Sequence, residues 1–311
     1  MALLLGIHTG QQDCSYEDLR RVWRLADSSG FYWVSTWDHF YEQPTVDGKG
    51  DCFEGIAIMT ALAAETTNVR VGSLVFGMGY RYPAVLAKAA ATIDHVSNGR
   101  LELGLGAGWY ELEHRTFGIP FLPVGARMDM FEEGVQIIKA MLTEGSATLN
   151  GKYHQVEDAN CYPMPVQKPP RIWIGGKGEK RTLRIAARYA DGWNVPYISP
   201  EEYQHKIGVL DQWCEREDRD PAEIARSVNL GFWMGATEAD AKRERERYQQ
   251  QYGERAEEQS GGQLFGTPDQ AVERISEYVE AGAQGVNIAL RAPFDWDALH
   301  AFAEEVLPAF K

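Results

Sequence analysis

Few cysteines, no long apolar run and a shortage of basic residues set the first bounds on this 311-residue chain. Its four cysteines, Cys14, Cys52, Cys161 and Cys214, lie far apart and form no Cys-x-x-Cys pair. That spacing speaks against a disulfide frame or a zinc site and for reduced thiols in a cytoplasmic protein. No apolar run approaches the ~18 residues that suggest a membrane span. The opening Met1-Ala2-Leu3-Leu4-Leu5-Gly6-Ile7 lacks a basic flank and is too short for a signal peptide. It is expected to form a first buried strand. Lysine and arginine total 31 against 45 acidic residues, a net charge of −14. So acidic a protein repels nucleic acid and anionic lipid surfaces, and neither is expected as a partner. No Gly-x-Ser-x-Gly elbow occurs and no cysteine has a catalytic context, which argues against a hydrolase.

What is present is an ordinary globular composition, 44% hydrophobic and 24% charged. At about 150 residues per domain the length suggests two domains, yet α/β barrels of this size form one. Short apolar runs alternate with helical patterns throughout. The candidate strands are 3–7, 31–35, 69–75, 100–105, 171–175, 192–195, 228–234 and 285–290, several of them apolar on both faces as in a buried parallel sheet. Between them, Ser15 to Asp18 reads as a capping box with Gly30 as the helix stop. Pro83 opens a helix to about Val96. Spacing at Met128, Phe131, Val135, Ile138 and Leu142 marks another over 127–142. Further helices are expected over 182–189, 200–217, 237–258, 268–281 and 295–307, that from 238 to 258 as a solvated, charge-rich excursion. Eight strands alternating with helices predict a (β/α)8 TIM barrel, with an open doubly wound sheet as the alternative. Insertions are expected after strand 4, where Asn150-Gly151 signals a hairpin, and near strand 7. No repeat or linker divides the chain, so residues 1–311 are expected to form one domain.

In such a barrel, chemistry sits where strands hand over to the following loops. Those places collect aromatic rings, small residues and a few polar groups, the makings of a cleft for a flat, partly apolar ligand. Gly104-Leu105-Gly106-Ala107-Gly108 resembles a dinucleotide loop, but the third glycine of that fingerprint is replaced by Trp109. Glycine there still lets backbone approach a ligand closely. Gly175-Gly176-Lys177-Gly178 is not a Walker loop, yet its free amides at a helix start, with Lys177, Lys180 and Arg181 nearby, form a phosphate cradle. Asp38-His39 offers a general acid or base whose pKa a neighbouring carboxylate can tune. Glu111, Glu113 and His114 lack helical ligand spacing, so no metal site is expected and a solvated loop-to-helix junction is.

Three blocks then carry a resemblance: 35–40 (Ser-Thr-Trp-Asp-His-Phe), 80–109 running into Phe117-Gly118-Ile119-Pro120-Phe121, and Ala190-Asp191-Gly192-Trp193-Asn194. Together the chain resembles the bacterial-luciferase-like superfamily, and more closely its branch that uses the deazaflavin coenzyme F420. FMN-using relatives share much of the pattern, so FMN is the alternative cofactor. The resemblance implies a barrel with the cofactor ring at the strand ends, backed by a non-proline cis peptide that matches Ser73–Leu74. It implies cofactor contacts from Trp37, Asp38, His39, Ser73, Leu74, Val75, Ala107, Gly108 and Trp109, and a phosphate held at Gly175, Gly176, Lys177 and Gly178. His39, with Asp38, is the implied catalytic group. Trp109 stands where some relatives carry a catalytic glutamate, a departure from the sugar-phosphate dehydrogenases; Glu111 is the substitute candidate. His8, Trp193, Trp233 and Arg291 are expected to face a small-molecule substrate, with Arg291 as an anion contact. The implied function is F420-dependent hydride transfer. Alternatives are an FMN-dependent monooxygenase fed by a separate reductase, and a non-catalytic flavin-binding protein. Relatives of this kind are often homodimers.

Overall fold

The computed structural model describes residues 3–44 and 48–311; Met1 and Ala2 of the opening segment lie outside the described residues. Eight parallel strands run around a closed barrel: β1 (Leu4–Thr9), β2 (Trp33–Thr36), β3 (Arg70–Ser73), β4 (Leu101–Gly106), β5 (Arg171–Gly175), β6 (Gly192–Pro196), β7 (Ala225–Met234) and β8 (Gly285–Leu290). The ring closes because β7 pairs with β6 through Ala225↔Gly192 and with β8 through Ser227↔Gly285, while β8 pairs with β1 through Leu4↔Gly285. The helices are α1 (Tyr16–Ser29), α2 (Gly55–Glu65), α3 (Pro83–Val96), α4 (Glu111–Thr116), α5 (Val124–Glu144), α6 (Thr182–Tyr189), α7 (Pro200–Arg216), α8 (Glu238–Tyr252), α9 (Pro268–Glu280) and α10 (Trp296–Ala301). This is the expected (β/α)8 architecture. Among the described residues, no helix is long and apolar enough to cross a membrane.

Local chemistry explains several boundaries. Ser15 and Asp18 form a reciprocal capping box at α1, and Gly30 ends that helix at φ 87°, a left-handed conformation that glycine adopts without a Cβ penalty. Pro83 opens α3, where its missing N–H costs nothing. The insertion after β4 is an antiparallel hairpin, Ser146–Asn150 against Gln155–Asn160. The insertion after β7 is α8, followed by a short strand, Gln263–Gly266, that pairs with β7. The charged excursion is shorter than expected, ending as a helix at Tyr252, and one face is not solvated: Glu244 and Tyr248 are buried.

The third strand departs from expectation. It does not run unbroken over 69–75. Pairing with β2 continues to Ser73, and Leu74 N donates to Thr36 O at 2.8 Å. A two-residue strand, Phe76–Gly77, then pairs with Leu105 and Gly106 of β4. The non-proline cis peptide lies at Leu74–Val75, one bond beyond the expected Ser73–Leu74. The hydrogen bonding accounts for the shift, since Ser73 is still held in the ladder and its Oγ donates to Gly104 O at 2.9 Å.

The barrel interior is filled at one end by Trp33 and Trp173, whose ring centroids lie 5.1 Å apart. Small residues make room for them. A Cβ on Gly6 would meet Trp33 at 2.2 Å, and one on Gly192 would meet Trp173 at 2.4 Å. The tryptophan N–H groups find partners, as buried donors must. Trp173 Nε1 donates to Glu102 Oε2 at 2.6 Å, and Trp33 Nε1 donates to Asn287. Glu102 is wholly buried and also takes hydrogen bonds from Arg70 and from Tyr32 OH. With this end packed solid, the opposite end, at the strand C-termini, is left to form a site.

Candidate active site

A cleft of about 490 Å³ opens at the C-terminal ends of the strands. Its walls come from nearly every strand-to-loop junction: His8 of β1, Trp37 to His39 after β2, Leu74 and Val75 after β3, Gly106 to Trp109 at and after β4, Gly175 and Gly176 after β5, and Arg291 after β8. Most of the sequence-predicted ligand residues therefore do meet in one place.

Two glutamines shape the wall beside β2. Gln11 Nε2 donates to Trp37 O at 2.7 Å, and Gln12 Nε2 donates to Gln43 O at 3.1 Å. Trp37 is thereby fixed between two imidazoles, His8 at 5.6 Å and His39 at 6.1 Å between ring centroids. His8 is buried, with Nδ1 3.0 Å from Ser35 Oγ. Burial, aided by the positive charge of Arg291, pushes its pKa down to about 3, so His8 stays neutral.

His39 is held differently. The carboxylate that meets it is Glu113 of α4, not its sequence neighbour Asp38. His39 Nδ1 lies 2.9 Å from Glu113 Oε2. Glu113 Oε1 accepts the backbone N–H of Phe40 at 2.7 Å and of Tyr41 at 3.0 Å, and Tyr80 OH also donates to Glu113. Burial alone would raise the pKa of Glu113, but these donors outweigh it and hold the pKa below its ordinary value. An ionised Glu113 is an acceptor for a proton on Nδ1 of His39, which leaves Nε2 for the cavity.

Asp38 turns away from His39. Its Oδ2 accepts from Arg81 Nη1 at 2.6 Å and from Gly77 N at 2.9 Å, tying the cleft wall to the short strand after β3. Burial raises its pKa against the pull of Arg81, and Oδ1 has no partner among the described residues.

Glycines line the floor because Val75 stands close against it. A Cβ on Gly106 would meet Val75 Cγ2 at 2.4 Å, and one on Gly175 would meet Val75 Cγ1 at 2.5 Å. The result is a flat, mostly apolar floor of backbone and small side chains. One buried donor in the wall, Gln43 Nε2, lacks a partner among the described residues. A flat heteroaromatic ring with a polar edge fits such a lining.

Several expected residues fall elsewhere. Trp193 is in the outer core, stacked on Tyr203 at 5.6 Å, with Nε1 donating to Gly176 O at 2.9 Å. The reason is the two-residue period of β6: Asn194 faces the cleft, so Trp193 faces the helices. Ser73 serves the ladder between β3 and β4. Trp233 lines a second, polar cavity of about 800 Å³, as does Lys177. Trp233 packs edge-on to Tyr248, and its Nε1 donates to Gln263 Oε1 at 3.1 Å. Gly178 follows the cleft residues Gly175 and Gly176, and a Cβ there would meet Thr182 Oγ1 at 2.8 Å. Arg181 pairs with Asp129 at 2.5 Å, which removes it from the cradle's charge. Trp109 stands at the mouth, 63% exposed, with its ring 5.7 Å from His39. Glu111 is exposed.

The sequence reasoning missed Glu113, Tyr80 and Gln43. The Glu113–His114 pair is not a solvated junction but fully buried, because Glu113 satisfies a loop 72 to 74 residues distant in sequence that no local pattern reveals. The signal available was its place on the first turn of a helix that follows a glycine-rich strand end. Among the described residues, no cluster suited to a metal ion occurs.

Comparison with known proteins agrees with the barrel fold. A family model described as luciferase-like monooxygenase matches residues 3–264. The chain is 28% identical to an F420-dependent glucose-6-phosphate dehydrogenase of Microbacterium testaceum, over 92% of this chain and 91% of that protein. It is 29% identical to an FMNH2-dependent dimethylsulfone monooxygenase of Pseudomonas putida, over 56% of this chain and 47% of that one. In fold it is similar to an F420-dependent secondary alcohol dehydrogenase solved with an F420–acetone adduct, at a TM-score of 0.86, 19% identity and full coverage of both chains.

Proposed function

Because the chain belongs to the luciferase-like monooxygenase family, we propose that it is an F420-dependent oxidoreductase moving a hydride between the deazaflavin and a small organic substrate. The observation that carries this reading is the His39–Glu113 pair at the edge of a flat, apolar cleft. The floor at Val75, Gly106 and Gly175 and the wall at Trp37 would hold the ring, with Gly176 and the amides after it beside the phosphate. A bound deazaflavin supplies hydride transfer without forming an oxygen adduct.

The chain's own residues supply the proton and the enclosure. His39 Nε2 accepts the hydroxyl proton when an alcohol is oxidised and returns it to the carbonyl oxygen in the reverse direction. Glu113 stabilises the imidazolium that forms. His8, neutral and hydrogen-bonded to Ser35, remains a donor or acceptor for the substrate rather than a second charge. Trp109 in place of a catalytic glutamate, with Glu111 exposed, argues for a substrate other than a sugar phosphate.

A second reading, an FMN-dependent monooxygenase served by a separate reductase, is favoured by the similarity to the dimethylsulfone enzyme. Paired titration of purified protein with F420 and with FMN, read by quenching of tryptophan fluorescence, separates the two. Tight F420 and weak FMN binding supports hydride transfer. The reverse, with oxygen uptake on adding reduced FMN, supports the monooxygenase, and binding of neither overturns both. The proposal includes a homodimer in the cytoplasm, and sedimentation velocity reports the oligomeric state.

A further inference from the structure

Arg291 occupies an unusual place for a charged group. It follows β8 and lines both the apolar cleft and the 800 Å³ polar cavity beside it, at their shared wall with Gln43 and Tyr197. Its guanidinium sits over the Trp37 ring, 5.4 Å from the centroid. Nη1 donates to Gln43 O, which Gln12 Nε2 also binds. No carboxylate among the described residues pairs with it. Arg81 is matched with Asp38 and Glu54, Arg181 with Asp129, and Arg247 with Glu244, whereas Arg127 lies on the Phe121 ring and donates to Gly108 O outside the shared wall. An unmatched guanidinium on an aromatic face, beside a low-dielectric cleft in a protein of net charge −14, has a vacant electrostatic role.

One further donor lies at the same wall. Gln43 Nε2 is buried without a partner among the described residues, in a residue 8% exposed. A buried amide donor without a partner in a cavity wall offers a place for an acceptor. The neighbouring imidazole reinforces this arrangement: His8 is neutral, so the positive charge here belongs to Arg291 alone of the two. Trp37 also flanks His39, so an anion bound over it lies one ring away from the proton-transfer group.

We propose that Arg291, seated on the Trp37 ring, forms with Gln43 an anion site for the substrate, and that the substrate is a mainly apolar carboxylate. A carboxylate matches the planar guanidinium fork and carries one charge against one charge. A phosphate ester brings about −1.5 to −2, more than the one cation that faces both cavities carries, since Lys177 lines the polar cavity but not the apolar cleft. The apolar cleft accommodates the rest of the molecule, with its alcohol or carbonyl at His39. The inference rests on the oxidoreductase reading for that reacting end, whereas the anion site itself does not depend on which cofactor binds.

The cofactor is itself an anion, so the test must separate the two sources. Calorimetric titration with benzoate, phenyl phosphate and benzamide, on cofactor-saturated and cofactor-free protein, provides the probes. Benzamide keeps the shape of benzoate without the charge. The expected result is benzoate binding at least tenfold tighter than benzamide and tighter than phenyl phosphate. Arg291→Met should erase the preference, Arg291→Lys should keep part of it, and both should bind cofactor as the parent does. Equal binding of benzoate and benzamide overturns the proposal, as does a preference that survives Arg291→Met. Tighter binding of phenyl phosphate replaces a carboxylate with a phosphate ester and overturns the substrate class. Lost cofactor affinity in Arg291→Met with unchanged benzoate binding assigns the guanidinium to the cofactor and overturns it too. Should neither F420 nor FMN bind while benzoate preference appears and vanishes with Arg291→Met, the cofactor reading fails and the anion site stands.

Discussion

His39 and Glu113 are 74 residues apart in the chain and 2.9 Å apart in the structure, joined Nδ1 to Oε2 with the carboxylate fully enclosed. The same carboxylate holds the next two backbone amides of the His39 loop, so one side chain sets both the position of the loop and the tautomer of the ring. Glu113→Gln keeps the size but not the charge. It is expected to lower kcat about 10- to 100-fold, within the range general acid–base groups contribute, while cofactor affinity holds. Nitrogen NMR of His39 should show the Nδ1–H tautomer in the parent and a mixture in the variant. An unchanged tautomer with full activity would remove Glu113 from this role.

His39→Ala tests the ring itself. Turnover should fall by about 10²-fold or more, the usual worth of a positioned acid or base, with F420 affinity within a few-fold of the parent. Stopped-flow absorbance of the deazaflavin and equilibrium titration measure the two effects separately. A parent protein that binds cofactor but turns over no alcohol, aldehyde or enone would favour a binding role instead.

His8 makes stability depend on pH. Its folded pKa, about 3, lies below the unfolded value of 6.5, so the unfolded chain binds more protons between those limits. Stability therefore rises with pH through that window, and its loss on acidification amounts to about 1 kcal/mol per pH unit from this residue. Urea unfolding of the parent and of His8→Asn at pH 5 and pH 7 should give a smaller difference for the variant. Equal pH differences in the two proteins would contradict the neutral, buried assignment.

Gly106→Ala addresses the cleft floor. The new methyl would meet Val75 Cγ2 at 2.4 Å, and Val75 must move into the space assigned to the ring. The expectation is an about tenfold or greater rise in cofactor Kd, or about 1.4 kcal/mol, with the far-ultraviolet circular dichroism unchanged. Unaltered affinity would place the ring elsewhere.

Glu102→Ala addresses the closed end of the barrel. It leaves the Trp173 N–H, the Tyr32 hydroxyl and the Arg70 guanidinium without their shared acceptor. Removing one partner of a buried charged network costs about 3–5 kcal/mol, which chemical denaturation reads directly. The cleft lies at the other end, so cofactor affinity of the folded fraction should not change.

By itself, the sequence determined the barrel, most of its strands and the junctions that carry the site. Alternating short apolar runs and helical spacings are local signals, and a parallel barrel announces its loops by the residues that follow each run. His39, Gly106, Gly175 and Arg291 were legible for that reason. Tertiary structure alone decided which carboxylate serves His39. Asp38 was adjacent in sequence, but Arg81 and Gly77 claim it, and Glu113 arrives from α4 to satisfy the buried donors of the loop. It also decided that Trp193 faces the helices, since a single step along a strand reverses a side chain's direction. And it brought an unmatched Arg291 over Trp37 across 254 residues of chain, a contact that follows from closing the barrel and from no pattern along it.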